Sequence, residues 1–255
     1  MSSNLLEAVS EVARVAGSIA MKHYRTGVAV DLKADGSPVT IADRDAERGA
    51  RDWIARRFPK DGIVGEELET VNEGAGRRWI IDPIDGTRSF VRGVPLWGTL
   101  VAVCEGADVI AGAAFYPAVD ELIAAVIGEG CWWNGARARV SSVERISDSL
   151  VMTTEGFMSS ASRRAGWDRM ASTAAMSRGW GDCYGYLLVA TGRAEVMVDP
   201  IVNEWDVAAL LPCITEAGGV FTSWDGGVTA FGGSAIATNG AVAAEARALI
   251  AGSAS

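Results

Sequence analysis

Two aspartates three residues apart are the residues of this chain best placed to do chemistry. Asp82 and Asp85 lie in the string WIIDPIDGT at residues 79–87. The apolar run before Asp82 predicts a buried strand that ends there, because Pro83 cannot donate a ladder hydrogen bond. The chain then turns, so that both carboxylates and the Ile84 carbonyl can face one pocket. Such hard oxygen ligands are those that Mg2+ prefers.

Other residues around this turn indicate a site for a cation and a phosphate. Gly86 lets the backbone approach a ligand closely, and Thr87 begins a stretch whose amides can hold phosphate. Two further acidic residues lie at predicted element ends, Glu66 after a strand and Asp206 at the start of a helix. Most D-x-x-D-G strings are only turn and cap residues, but a gathering of carboxylates needs cations to balance its charge.

Helices and short strands position these residues in the first half of the chain. Apolar residues at helical spacing predict an amphipathic helix at 4–24, and Thr40 can cap a second helix at 40–57 that carries Asp43 in its first turn. Strands are predicted from apolar runs at 63–64, 79–81, 99–104, 109–116 and 121–127. With a hairpin turn at Asn134-Gly135, the later runs predict a meandering sheet.

The second half alternates strands with helices. Strands are predicted at 149–154, 194–198, 220–223 and 235–238. Helices are predicted at 162–176, 182–191 and 204–217, and an alanine-rich helix ends the chain. Asn203 caps the helix at 204–217 and places Asp206 at its third position. This mixture predicts layered α/β structure.

Composition restricts the fold and the partners. A chain of 255 residues that is 49% apolar and 22% charged can bury a large core, and we expect a single domain of two intimate halves, at about 1–140 and 141–255. A net charge of −9 argues against a nucleic acid or a membrane as the partner, since both favour a basic face. Glu7 and Glu11 interrupt the apolar N-terminal stretch, unlike a signal peptide, so a cytoplasmic location is expected.

Few residues support a covalent mechanism. His23 is the only histidine, so a Ser-His-Asp arrangement would need distant partners that no motif indicates. Cys131 and Arg137 match a C-x5-R spacing, but two tryptophans and a predicted hairpin turn lie between them and would crowd a phosphate loop. Asp82 and Asp85 are one residue too far apart for the D-x-D of aspartyl-phosphate phosphatases.

The motifs together resemble those of the inositol monophosphatase family of Mg2+-dependent phosphatases. The string W-x-I-D-P-I-D-G-T-x-x-F is met by residues 79–90, and W-D-x-A-A followed by E-A-G-G is met by residues 205–219. G-E-E is met at 65–67, and the stretch 38–40 leads to Asp43. The matches span most of the chain in the family's order. The resemblance implies a layered αβαβα sandwich of the sugar-phosphatase type and a homodimer.

The resemblance also implies roles for individual residues. Those expected to bind two or three Mg2+ ions are Glu66, Asp82, Ile84 through its carbonyl, Asp85, Asp206 and, for a more weakly held ion, Asp43. The expected catalytic residues are Glu66, Thr87 and Asp43, of which Thr87 and Glu66 orient the attacking water. The amides of Gly86 and Thr87 are expected to hold the phosphate.

Residues outside the metal ligands bear on the substrate. Asp199 stands seven residues before Asp206, where family members place an acidic residue that contacts the substrate's polar part, and Glu204 is close in sequence. Two carboxylates at the mouth suit a cationic alcohol, although Glu204 can equally complement a helix N-terminus. Arg88, together with the string Asn-Glu-Trp-Asp at 203–206, resembles the histidinol-phosphatase branch of the family.

Hydrolysis of L-histidinol phosphate in histidine biosynthesis is therefore the expected activity. An inositol monophosphatase is the first alternative, and a nucleotide or sugar phosphatase is the next. A hypothesis of another class is that the chain is a metal-free scaffolding relative. The presence of every acidic residue of the motif set argues against it, and a metal titration would test it.

Overall fold

The structure is a computed structural model that describes residues 2–154 and 160–252. Its helices are α1 Ser2–Met21, α2 Ile41–Arg57, α3 Thr87–Val91, α4 Ala161–Thr173, α5 Asp182–Ala190, α6 Glu204–Val207, α7 Leu210–Glu216 and α8 Ala243–Ala251. Its strands are β1 Val30–Leu32, β2 Pro38–Thr40, β3 Gly62–Gly65, β4 Arg77–Asp85, β5 Gly98–Glu105, β6 Asp108–Tyr116, β7 Glu121–Val126, β8 Gly130–Trp133, β9 Ala136–Arg137, β10 Leu150–Thr153, β11 Met176–Arg178, β12 Val196–Asp199, β13 Gly219–Thr222 and β14 Ala235–Asn239.

The strands form two large sheets and a short hairpin. The seven-stranded sheet has the order β3-β4-β5-β6-β7-β8-β9, in which β3 and β4 are parallel and the other neighbours are antiparallel. The five-stranded sheet has the order β11-β10-β12-β14-β13, and β10 is parallel to both of its neighbours. Strands β1 and β2 form a separate antiparallel hairpin. The pairing of successive strands from β4 to β9 confirms the predicted meander.

Helices cover and separate the two sheets. α1 and α2 pack on one face of the seven-stranded sheet, and α5 and α7 lie between that sheet and the five-stranded sheet. α4 and α8 pack against each other on the far face of the five-stranded sheet. One apolar cluster lies under the outer helices of each sheet, and a third surrounds α5 and α7 between the sheets, so the order of layers is αβαβα. The predicted fold class is confirmed.

The connections agree with several local predictions. Thr40 caps α2, and its hydroxyl accepts a 3.0 Å hydrogen bond from the Ala42 amide. Asn134 and Gly135 have φ of 46° and 81° between β8 and β9, as a tight hairpin turn requires. Within residues 2–154 and 160–252, no helix has both the length and the hydropathy needed to span a bilayer.

The prediction that the strand ends at Asp82 was wrong. β4 continues through Pro83 to Asp85. Its pairing with β5 shifts between Asp82 and Asp85, and this irregularity removes the need for a ladder hydrogen bond from Pro83. The Pro83 carbonyl instead accepts a 2.7 Å hydrogen bond from the Thr99 hydroxyl.

The predicted helix at 204–217 is divided into α6 and α7, with Ala208 and Ala209 between them. The Ala209 carbonyl packs against β6 so closely that a Cβ built on Gly112 would lie 2.1 Å from its oxygen. The predicted first helix also ends earlier, at Met21. The sequence patterns did not predict the β1–β2 hairpin or β11, since these strands have three residues each and both β1 and β11 are exposed.

Candidate metal and phosphate site

Three carboxylates converge where β4 meets α6. One oxygen from each of Asp82, Asp85 and Asp206 lies within 4.8 Å of the others. Asp82 and Asp85 flank the irregularity in β4, which brings both carboxylates to one side of the strand. Asp206 is held at the N-terminus of α6, because the Asn203 amide donates a 2.7 Å hydrogen bond to its Oδ2. Two motifs that are far apart in sequence therefore meet in space.

Hydrogen bonds fix the turn between Asp82 and Thr87. The Ile84 amide donates to Asp82 Oδ1 over 3.0 Å, and the Thr87 hydroxyl donates to the Ile84 carbonyl over 2.9 Å. The Cys183 amide, in the first turn of α5, donates to Asp85 Oδ2. The candidate ligands are thus held in place by contacts with the backbone.

Burial and mutual repulsion make the three carboxylates resist ionisation. Burial raises the pKa of Asp82 well above its ordinary value, and the Glu66 and Asp85 carboxylates raise it further. Burial also raises the pKa of Asp85, with added repulsion from Asp182 and Asp206. The pKa of Asp206 is raised to about 7, again chiefly by burial. Adjacent buried carboxylates of this kind fit a site that a cation completes.

Glu66 lies beside this cluster, on the turn that follows β3. Its amide donates to the Ile81 carbonyl over 3.2 Å, and its carboxylate is near enough to Asp82 to raise the pKa of that residue. Lys33 Nζ, on the β1–β2 hairpin, lies 2.6 Å from Oε1 of Glu66 and 2.6 Å from Oε1 of Glu67. Burial lowers the pKa of Lys33, but these two contacts outweigh burial and leave that pKa raised.

Asp43 reaches the site from the first turn of α2. It is fully buried, and its Oδ2 accepts hydrogen bonds of 2.8 Å from the Thr40 amide and 2.6 Å from the Thr40 hydroxyl. Its Oδ1 lies 3.5 Å from the Thr87 hydroxyl oxygen. The cap of α2 therefore places Asp43 against the residue that was predicted to orient water.

Gly86 makes the turn from β4 into α3. Its φ is 84°, and a Cβ there would lie 2.9 Å from the Leu96 carbonyl oxygen and 3.2 Å from Asp182 Oδ2. Both the conformation and the lack of space therefore favour glycine. The cavity at this turn has about 250 Å³, and its lining includes Glu66, Gly86, Thr87, Arg88, Asp182 and Asp206.

A second cavity, of about 260 Å³, adjoins the same carboxylates. The residues that line it include Asp85, Asp182, Tyr186, Asp199 and Asp206. Asp199 is 4% exposed and accepts a 2.8 Å hydrogen bond from the Tyr186 hydroxyl. The structure thus places Asp199 beside the metal-ligand candidates, where the family pattern located a substrate contact.

Asp182 is a site residue that the sequence analysis missed. It begins α5 with a left-handed φ of 50°, and its amide donates a 2.8 Å hydrogen bond to the Thr154 hydroxyl. It lines both cavities described above. The available signal was an aspartate directly after Gly181 at a predicted helix start, but acidic residues are common there for electrostatic reasons alone.

The structure does not bring Glu204 to the carboxylate cluster. Although Glu204 is two residues from Asp206, it lines a different cavity, with Arg78 and the stretch 70–73. Its predicted contact with substrate remains a prediction.

The chain is similar to curated proteins over most of its length. It is 44% identical to the histidinol-phosphatase of Chlorobaculum parvum over 217 residues, which cover 84% of this chain and 83% of that protein. It is 40% identical to the histidinol-phosphatase of Mycobacterium tuberculosis over 220 residues, covering 83% of this chain and 84% of that protein.

Solved structures share the fold. The extragenic suppressor protein suhB from Bartonella henselae superposes with a TM-score of 0.92 at 26% identity, covering 98% of this chain and all of that one (100%). An inositol monophosphatase from Zymomonas mobilis superposes with a TM-score of 0.86 at 30% identity, covering 97% of this chain and 98% of that one. The model of the inositol monophosphatase family matches residues 1–254. The chain therefore belongs to the inositol monophosphatase family, as its motifs predicted.

Proposed function

We propose that this protein hydrolyses L-histidinol phosphate to L-histidinol and phosphate, with Mg2+ as its cofactor, in histidine biosynthesis. As a member of its family, the chain is a phosphoric monoester hydrolase. The histidinol-phosphatase names of its relatives from two bacteria support the substrate. The observation that carries the proposal is the cavity beside the carboxylate cluster, because Asp182 and Asp199 give it an acidic wall. Histidinol carries an amine and an imidazole, and neighbouring carboxylates stabilise the positive charge of these groups.

The donor set fits Mg2+. This hard cation takes oxygen ligands, and the carboxylates of Asp82, Asp85 and Asp206 are close enough to share one ion. We assign two or three ions to Asp82, Asp85, Asp206, Glu66 and the Ile84 carbonyl, with Asp43 supporting the most weakly held ion. When bound, Mg2+ supplies positive charge that activates water and neutralises the charge that develops on phosphate and on the departing oxygen.

The chain's own residues orient the attacking water. Thr87 donates its hydroxyl proton to the Ile84 carbonyl, so its oxygen keeps lone pairs that can accept from water. Asp43, whose Oδ1 lies 3.5 Å from that hydroxyl, and the Glu66 carboxylate help in our proposal to fix the direction of attack on phosphorus. Their side chains are buried or half-buried, which limits competing solvent.

Other residues bind the two parts of the substrate. The amides of Gly86 and Thr87, with Arg88 at the rim, hold the phosphate in the first cavity. The leaving alcohol then extends into the second cavity, where Asp182 and Asp199 bind its cationic groups. In this assignment Asp182 takes the role that the sequence pattern gave to Glu204.

The decisive measurement is phosphate release from L-histidinol phosphate and from inositol 1-phosphate, side by side in the presence of Mg2+. We expect kcat/KM to favour histidinol phosphate by ~100-fold or more, which corresponds to roughly 2.7 kcal/mol of transition-state discrimination. Comparable rates, or the reverse preference, would overturn the substrate assignment and leave the alternative of an inositol phosphatase or a broader phosphatase.

Two further parts of the proposal have separate tests. Isothermal calorimetry with Mg2+ distinguishes the enzyme from a metal-free scaffolding relative, which would show no binding heat. The family resemblance supports a homodimer, which light scattering on the purified protein measures directly. A cytoplasmic location belongs to the same proposal, and fractionation of cells that express the protein checks it.

A further inference from the structure

A buried ion pair lies on α2, behind the turn that carries Glu66. The Glu47 side chain is fully buried and the Arg51 side chain is 12% exposed, and Arg51 Nε donates a 2.7 Å hydrogen bond to Glu47 Oε1. The pair is one helical turn apart, so α2 holds both side chains on the same face. Neither residue belongs to the predicted ligand or substrate set.

Both side chains bind the backbone that follows Glu66. Glu47 Oε2 accepts a 2.8 Å hydrogen bond from the Glu67 amide. Arg51 donates to the Leu68 carbonyl over 3.0 Å and to the Glu69 carbonyl over 2.9 Å. Three successive residues after Glu66 are therefore attached to α2 by side chains of the pair.

The residue before Glu66 packs closely against the Glu47 carboxylate. A Cβ built on Gly65 would lie 1.9 Å from Glu47 Oε1, so the Glu47 carboxylate occupies the space that a side chain would need. Glycine at position 65 is thus a consequence of Glu47. The pair therefore contacts the chain on both sides of Glu66.

Placing these charges in the interior costs stability. Burial raises the pKa of Glu47, and the Glu67 amide and Arg51 only partly offset that effect. Buried ion pairs are often no more stabilising than apolar residues of similar size, so stability alone is a weak reason for this pair. The three hydrogen bonds from the pair to the turn give a better reason, since partners behind a metal ligand fix its orientation.

We propose that Glu47 and Arg51 are positioning residues that hold Glu66 at the carboxylate cluster and thereby set the affinity for Mg2+. They act through the backbone of the turn and do not touch metal or substrate. The inference rests on the proposed Mg2+ site, since Glu66 is one of its assigned ligands.

The test measures Mg2+ binding by calorimetry in variants of the full chain, with Mg2+-dependent activity as a second readout. Glu47→Ala removes the acceptor for the Glu67 amide and the carboxylate partner of Arg51, and we expect Mg2+ to bind about 10- to 100-fold more weakly. Glu47→Gln keeps an oxygen for that amide and is expected to retain more of the affinity. Arg51→Lys keeps the charge but cannot reach both carbonyls, so its affinity is expected to fall as well.

A matched control lies at the opposite end of β3. Asp61 precedes that strand, is 9% exposed, and accepts hydrogen bonds of 2.7 Å from Arg77 Nε and 2.9 Å from Trp79 Nε1. Asp61→Asn disrupts the pair between a largely buried carboxylate and the half-buried Arg77, at the end of β3 away from Glu66. We expect it to lower the melting temperature of the metal-free protein as Glu47→Ala does, but to leave the Mg2+ affinity unchanged.

Three outcomes of these measurements would count against the inference or against the proposed function. An unchanged Mg2+ affinity in folded Glu47→Ala, or in Arg51→Lys if Glu47→Ala does not fold, overturns the inference. An equal loss of affinity in Asp61→Asn also overturns it, because the effect would then follow stability alone. If the unaltered protein binds no Mg2+, the proposed function fails first, and this outcome is distinct from the other two.

Discussion

Individual carboxylates in the site differ in how their charge is balanced. Glu66 has the Lys33 ammonium at 2.6 Å, and Asp43 has two hydrogen bonds from Thr40. The remaining acids at the centre of the site, Asp82, Asp85 and Asp206, face one another and have raised pKa values. The folded protein thus gathers acidic groups at one point, where a divalent cation would favour their ionised form.

Asp85→Asn tests this account at its centre. The amide keeps the size of the side chain but removes one charge and one strong ligand, so we expect turnover with Mg2+ to fall by orders of magnitude. The metal-free variant should melt at the same temperature as the unaltered protein or higher, because repulsion with Asp182 and Asp206 is relieved. Steady-state kinetics and calorimetric melting measure the two effects, and near-normal turnover would contradict the metal assignment.

Asp182→Asn tests the acidic wall of the second cavity. Losing the charge should lower kcat/KM for histidinol phosphate by about tenfold, or 1.4 kcal/mol, and should affect the uncharged ring of inositol 1-phosphate less. Glu204→Gln is measured in parallel, since the sequence pattern named that residue. A greater loss of selectivity in Glu204→Gln than in Asp182→Asn would indicate that Glu204 is the residue that binds the cationic part of the substrate.

At the scale of elements, the sequence predicted those parts that local chemistry determines. The cap at Thr40 follows from side-chain hydrogen bonding, and the turn at Asn134-Gly135 follows from two left-handed residues. The layered fold and the family followed from longer patterns and motifs. Asp82, Asp85 and Asp206 could be grouped in advance because each stands in a motif at the end of an element.

Features that depend on distant packing could not be predicted in this way. Alanine is the best helix former, so nothing local at Ala208 and Ala209 predicts the break between α6 and α7. The left-handed start of α5 at Asp182 is likewise invisible in a single sequence. In the sequence, Glu47 is one of several charged residues on the predicted second helix. Only the fold shows that it packs against Gly65.

Gly112→Ala tests how packing positions α6. The new Cβ would lie 2.1 Å from the Ala209 carbonyl oxygen and 2.7 Å from its carbonyl carbon, and backbone cannot move aside as a flexible side chain does. We expect a loss of about 1–3 kcal/mol in the free energy of unfolding, together with weaker Mg2+ binding, because Asp206 lies three residues before Ala209. Gly74→Ala, where a Cβ meets nothing within 4 Å, is the matched control. Equal urea midpoints for the two variants would contradict this packing account.

Across the whole molecule, the candidate metal site joins parts of the chain that are far apart in sequence. Asp82 and Asp85 belong to the seven-stranded sheet, whereas Asp206 follows β12 of the five-stranded sheet and Asp182 begins a helix between the sheets. The apolar cluster between the sheets brings these elements together and overcomes the repulsion of their carboxylates. Folding therefore brings these carboxylates together at an electrostatic cost, which the other charges of the chain do not fully offset.

Mg2+ should consequently stabilise the entire fold. The unfolded chain separates the carboxylates, so the cation binds mainly to the folded state, and binding at 100 times Kd adds about 2.7 kcal/mol to the free energy of unfolding. For a chain of this size that corresponds to a rise of roughly 5–10 °C in Tm. Calorimetric melting with EDTA, with Mg2+, and with NaCl at matched ionic strength measures the effect and separates it from screening. An equal Tm in Mg2+ and NaCl would mean that the cluster holds no ion specifically, whereas a rise that Asp85→Asn abolishes would tie the stability of both sheets to these carboxylates.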